Sequence, residues 1–257
     1  MTQFVTATDG VRIAYEVEGA GPPLLFLHCL PGSSEYWREC GYIDALSGRF
    51  TVVTMDTRGF GKSEAPRDPA AYAEERVLGD ALAVMDAVSA EQFIVWGHSY
   101  GATIARQLGA TSDRVGRVVM AGGHFGMIYS AERVAKALAE LEPLAQAQAA
   151  HDPFTALDAL GVPLEERDEA LAFPALATLL TIRSLAGWRP FQPADLRCPA
   201  LVITGTRDTR VLEALDAERK AISAAGVRVV TLPDLDHGQL VSAREVVLPV
   251  ALEFLNA

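Results

Sequence analysis

One stretch, Gly97-His98-Ser99-Tyr100-Gly101, constrains this chain more than any other. Before it runs Gln92-Phe93-Ile94-Val95-Trp96, apolar and partly β-branched, which reads as a buried strand; after it Ala102 to Leu108 reads as a helix. A bend this tight between strand and helix strains the residue at its tip and excludes side chains two positions to either side. Glycine at 97 and 101 meets that demand. The bend lifts the Ser99 hydroxyl out of the sheet and leaves the Tyr100 N–H at a helix N-terminus, where developing negative charge is stabilised. Glycines around a serine also occur in ordinary turns. The flanking strand and helix select the elbow reading.

The remaining chain supplies a scaffold for such a bend. Its 257 residues, half of them hydrophobic, fit one large domain or a core with a modest insertion. Phe4 to Ala7 and Val11 to Val17 read as strands joined at Asp9-Gly10. Leu24 to Leu27 and Phe50 to Met55 are apolar runs of the kind covered on both faces. Tyr72 to Val88 has helical spacing, Val115 to Ala121 reads as the strand after the elbow helix, and Ala200 to Thr204 and Val227 to Leu232 as two more. Helices are expected after Ser33-Ser34, over Val211 to Ala224 and over Ser242 to Leu255. Strands alternating with helices predict an α/β fold: a mostly parallel twisted sheet of about eight strands with helices on both faces. From Phe125 to Pro193 the pattern is Ala-, Leu-, Glu- and Arg-rich and helical, with Pro143, Pro153, Pro163, Pro174, Pro190 and Pro193 expected to cut it into short helices. The expected organisation is therefore a core over 1–124 and 194–257, with a helical cap inserted over 125–193.

Composition excludes some partners. A net charge of -11 argues against nucleic acid and anionic membrane surfaces. No apolar run approaches transmembrane length, and the first residues lack the basic and apolar regions of a signal peptide. Cys29, Cys40 and Cys198 are few, odd in number and without metal-type spacing, as in a protein of a reducing, cytoplasmic compartment. The expected partner is a small-molecule substrate, with no metal and no organic cofactor.

Four landmarks fall in order, each after an expected strand: His28-Cys29-Leu30-Pro31-Gly32, Asp56 to Ser63, the elbow Gly97 to Gly101, and the pair Asp208 and His237. With them the chain resembles the α/β-hydrolase fold family over nearly its whole length. A serine hydroxyl needs a base, and the base an anionic partner. Five histidines are available: His28, His98, His124, His151 and His237. The resemblance implies Ser99 as nucleophile, His237 as base and Asp208 as acid, in the chain order of these hydrolases. Asp236, adjacent to His237, is poorly placed to pair with it. The resemblance also implies backbone N–H groups of Leu30 and Tyr100 as the oxyanion hole, and a structural role for His28. Cys29 departs from the family pattern, which has glycine there. Asp56 and Arg58 are read as ties of their glycine-rich turn, not as catalytic groups.

Candidate substrate contacts are Tyr36, Trp37, His124, Phe125, Met127 and Trp188, near expected strand ends or in the cap. The expected activity is hydrolysis of a carboxylic ester, lactone or thioester of a small organic substrate through an acyl-enzyme. The same triad also serves carbon–carbon bond hydrolases and perhydrolases, and some proteins resembling this family act as ligand receptors with little turnover. Serine at the elbow disfavours dehalogenase and epoxide-hydrolase chemistry, which in this fold use a carboxylate nucleophile.

Overall fold

A computed structural model describes residues 1–126 and 129–256. The strands are β1 (Gln3–Thr6), β2 (Arg12–Glu18), β3 (Pro23–Leu27), β4 (Thr51–Met55), β5 (Phe93–His98), β6 (Val115–Ala121), β7 (Ala200–Gly205) and β8 (Arg228–Leu232). They form one sheet in the order β1-β2-β4-β3-β5-β6-β7-β8. The β1–β2 hairpin and the β2–β4 pair are antiparallel, and every pair from β4 to β8 is parallel. The α/β fold of about eight mostly parallel strands is thus as expected.

The helices are α1 (Glu35–Glu39), α2 (Tyr42–Leu46), α3 (Glu74–Ala87), α4 (Tyr100–Thr111), α5 (Ala131–Gln148), α6 (Pro153–Ala159), α7 (Arg167–Ala172), α8 (Ala175–Leu185), α9 (Thr209–Ala217), α10 (Arg219–Ala224), α11 (Gln239–Ser242) and α12 (Arg244–Asn256). Because side chains alternate along each strand, the parallel strands β3 to β7 bury residues on both faces, while the edge strand β8 is largely exposed. Leu25, Leu27, Val95, Val118 and Val202 pack with Val84, Ile104 and Leu108 of α3 and α4. Leu24, Phe26, Trp96, Val119 and Ile203 pack on the opposite face with Trp37, Tyr42, Leu46 and residues of α12.

Two features of the topology position a site. The chain leaves β3 for β4 on one side and reaches β5 on the other, so the sheet order reverses at the β3/β5 boundary. Loops leaving neighbouring strands in opposite directions open a crevice beyond the strands' carboxyl ends. Register brings those ends level: Leu27 pairs with Gly97, His98 with Ala121, Ala121 with Ile203 and Gly205 with Leu232. Pairing continues past the strands, where Ser99 N donates to Ala121 O at 2.9 Å, Gly122 N to Ile203 O at 2.8 Å and Arg207 N to Leu235 O at 3.0 Å.

Between β6 and β7 the described residues hold α5 to α8 and no strand. One expectation here is corrected. Pro143 does not divide the segment; α5 runs through it for 18 residues. An interior proline costs about 3 kcal/mol of helix stability. Leu138 and Leu141, just before Pro143, pack with Leu179 and Leu180 of α8, and burying such side chains offsets that cost. The other five prolines open helices or lie between them. A second correction is the helix expected over 211–224, which breaks at Glu218 into α9 and α10. Ser184 of α8 donates to the Tyr72 carbonyl at 2.5 Å, and Trp188 Nε1 donates to Ser184 Oγ at 3.0 Å. The helical segment is thereby tied to the turn before α3.

Candidate active site

The elbow is built by close approach. Ser99 has φ 55° and ψ −107°, a left-handed backbone that an L-residue holds only when its surroundings compel it. A Cβ on Gly97 would lie 2.0 Å from Gly101 O, and one on Gly101 would lie 2.1 Å from Leu27 O. No side chain fits at either position. The bend sets Ser99 immediately before α4, and Tyr100, as the first residue of that helix, has no intrahelical acceptor for its N–H.

Asp208 follows β7 and His237 follows β8, so both stand at the same sheet edge as Ser99. His237 Nε2 lies 2.8 Å from Ser99 Oγ, and His237 Nδ1 lies 2.6 Å from Asp208 Oδ2. With a carboxylate at Nδ1, that nitrogen carries the proton and Nε2 is left to accept from the serine hydroxyl. Burial raises the Asp208 pKa, but the His237 hydrogen bond and charge, with Arg210 nearby, outweigh it and hold the carboxyl below its ordinary value. The Asp208 side chain is 4% exposed and that of His237 32%, so the imidazole faces incoming solute while its partner is shielded. Asp236 makes no bond to His237; its Oδ1 accepts from Gln239 N at 3.0 Å and opens α11.

A further histidine braces this arrangement. His98 Nε2 donates to the His237 carbonyl at 2.8 Å, and the two rings lie 5.2 Å apart. Its Nδ1 is buried with no partner. Burial, then the His237 charge, lower the His98 pKa to about 4, so the ring is neutral. His28 does comparable work in the neighbouring loop. Its Nδ1 donates to the Cys29 carbonyl at 2.7 Å, and its Nε2 accepts from Thr57 N at 3.0 Å. The loop after β3 is thus fastened to the loop after β4. Asp56 accepts from Ser34 N at 2.6 Å and Lys62 N at 2.8 Å. Arg58 is buried against Asp80 at 2.6 Å and 2.7 Å and reaches Asp9 at 2.7 Å. These groups hold backbone and lie outside the recess around Ser99. Burial raises the pKa of Cys29, which keeps its thiol protonated.

That recess is lined by Leu30, Ser99, Tyr100 and His124, as the sequence suggests. The remaining lining residues carried no sequence signal of this role: Thr103, Gly122, Gly123, Tyr129, Arg133, Leu185 and Arg210. Neither the Leu30 nor the Tyr100 N–H donates to a protein group among the described residues. Four expected contacts are corrected. Trp37 is wholly buried among Phe26, Tyr42 and Trp96, on the sheet face away from the recess. Tyr36 turns its hydroxyl to the Gly238 carbonyl at 3.3 Å and supports His98. Phe125 and Trp188 are core residues, Trp188 standing behind Tyr100 at 6.2 Å between ring centroids. Large aromatics fill volume wherever strands and helices meet, so type alone does not separate core from cavity wall. Met127 lies outside the described residues. His151 is exposed, remote from these contacts.

Among the described residues no cluster of three His, Cys, Asp or Glu side chains could hold a metal ion, and no helix is long and apolar enough to cross a membrane.

Comparison with known proteins agrees with this architecture. An epoxide hydrolase of Caballeronia sordidicola is 34% identical over 103 residues, 40% of this chain and 31% of its own length. The chain thus matches about a third of the length of such relatives. An enol-lactonase from Burkholderia xenovorans LB400 superposes with TM-score 0.78 at 24% identity, over 99% of this chain and 100% of that one. A thermophilic esterase from Thermogutta terrifontis superposes with TM-score 0.78 at 22% identity, over 100% of this chain and 98% of that one. At such identities the likeness is one of fold. The family model described as alpha/beta hydrolase fold matches residues 22–157, more than half of the sequence. By that match, and by the sheet and elbow described above, the chain belongs to the α/β-hydrolase fold family.

Proposed function

We propose that the protein is a serine hydrolase that cleaves a carboxylic ester, lactone or thioester of a small organic substrate. The observation that carries the proposal is the unbroken line from Ser99 Oγ to His237 Nε2 at 2.8 Å and from His237 Nδ1 to Asp208 Oδ2 at 2.6 Å. Ser99 Oγ attacks the acyl carbon as its proton passes to His237 Nε2. The imidazolium is stabilised by Asp208, and the carbonyl oxygen, now an oxyanion, accepts from the N–H groups of Leu30 and Tyr100. Collapse breaks the bond to the leaving oxygen or sulfur, which takes the proton from Nε2. Water then loses a proton to Nε2, attacks the acyl-enzyme, and releases the acid as the proton returns to Ser99. The helical segment over 125–193 roofs the reaction, since Tyr129, Arg133 and Leu185 line the recess from above the sheet.

The names of relatives such as that of Caballeronia sordidicola favour a second reading, epoxide hydrolysis. Chemistry at Ser99 weighs against it. A carboxylate that opens an epoxide forms an ester, which water can cleave at its carbonyl. A serine that opens an epoxide forms an ether with no carbonyl to attack, and turnover stops there.

The test is covalent. A fluorophosphonate should add once, at Ser99, and a short p-nitrophenyl ester should be hydrolysed by the native chain and not by Ser99→Ala. Labelling at another residue that persists in Ser99→Ala would overturn the assignment. Tight ligand binding without turnover would instead mark a receptor.

A further inference from the structure

The recess around Ser99 has a charge character that ester hydrolysis alone does not require. Acidic residues outnumber basic ones by 33 to 22 in this chain, yet among the described residues no Asp or Glu lines the recess, while Arg133 and Arg210 both do. Arg133 enters from α5, and Arg210 stands at the second position of α9, just past Asp208. Among the described residues neither guanidinium has a carboxylate within ion-pair distance. The Asp208 carboxylate is engaged by His237. The Arg133 guanidinium lies over the Tyr129 ring at 4.3 Å, a stacking that holds its plane in place.

The two cations act on each other and on what lies between them. Burial and then the charge of Arg133 lower the pKa of Arg210, against the attraction of Asp208. His124, in the same lining, is lowered by burial and then by Arg106, Arg210 and Arg133, against the hydrogen bond to the Phe125 carbonyl. Arg106 is itself buried behind the recess, where it donates to the His124 carbonyl at 2.6 Å. Arg210 helps keep Asp208 ionised, whereas Arg133 adds a second positive charge to the recess that the triad does not call for. An anion between Arg133 and Arg210 turns that repulsion into attraction, and paired forks of N–H donors match the two oxygens of a carboxylate. Ser99 lines the same recess as both arginines, so a carboxylate held by them and an acyl carbon at Ser99 can belong to one small substrate.

We propose that the substrate is an anionic ester or lactone whose acyl part carries a second carboxylate, bound by Arg133 and Arg210. The proposal rests on the ester-hydrolase reading for its reacting carbon, and only for that. Arg133 and Arg210 act as specificity residues.

The experiment compares 4-nitrophenyl hydrogen glutarate with its uncharged counterpart, 4-nitrophenyl methyl glutarate, after subtraction of spontaneous hydrolysis. The charged ester should have the higher kcat/KM by roughly tenfold or more, a preference that shrinks as salt is added. Arg133→Gln and Arg210→Gln should each reduce the charged-to-neutral ratio by about tenfold, mainly through KM, and Arg210→Lys should retain part of it. In parallel, glutarate and glutaramide are titrated calorimetrically into Ser99→Ala. Glutarate should bind and glutaramide should not, and Arg210→Gln on that background should abolish the difference. A ratio at or below one, or a ratio unchanged in both glutamine variants, would overturn the carboxylate proposal while leaving ester hydrolysis standing. Loss of Ser99 labelling and of all esterase activity would remove the hydrolase reading. The glutarate titration would then still decide the role of the arginines.

Discussion

His98 offers a quantitative handle on how the site is held. It is 2% exposed, its Nδ1 has no partner, and its pKa is lowered to about 4 by burial and then the His237 charge. An unfolded-chain histidine titrates near 6.5. Between these values the unfolded state binds the proton and the folded state does not, so stability rises with pH across that window. The contribution is fully present above pH 6.5 and is lost as pH falls towards 4. The full difference amounts to about 3 kcal/mol, of which about 2 kcal/mol is lost between pH 7 and pH 5. Burial also lowers His28 and His124, which tilt the same curve, so the native protein must be compared with a variant. His98→Gln removes the titration and keeps an N–H donor for the His237 carbonyl. Urea unfolding at pH 7 and pH 5 should show the native protein losing about 2 kcal/mol more than His98→Gln. Parallel losses would refute the account, because His98 would then not be the group held neutral.

Three further outcomes test the site. Asp208→Asn should preserve the fold and lower kcat by on the order of 10⁴, while Asp236→Asn, which only loosens the start of α11, should cost far less; steady-state kinetics on one ester compare them. Gly122→Ala should displace the base, since Gly122 has φ +63° and its Cβ would lie 2.8 Å from His237 Cε1. The expected loss is about 100-fold in kcat, with slower fluorophosphonate labelling of Ser99. Trp188→Ala should destabilise the protein by about 3–5 kcal/mol in denaturant unfolding. Leu185→Ala, on the recess wall, should instead change the ratio of kcat/KM between short and long acyl esters.

Local chemistry determined much of this protein. Apolar runs alternating with helical periodicity specify buried parallel strands, because a strand covered on both faces leaves few polar positions. The elbow is legible because only glycine tolerates the approach of Gly101 to Leu27 and of Gly97 to Gly101. Asp208 and His237 were assigned by resemblance to the α/β-hydrolase pattern; each follows a strand, and parallel strands end at the edge where Ser99 stands. What surrounds them was decided by tertiary structure. Trp37 and Trp188 look like pocket residues by type and are core by packing, since the side a ring faces depends on where its helix sits against the sheet. Pro143 stays inside α5 because α8 packs against it, a contact between residues some forty positions apart. Arg133 and Arg210 are 77 positions apart in the sequence, on helices that nothing local relates. They face one recess because α5 folds over the sheet edge where α9 begins, and the charge of that recess exists only in the assembled fold.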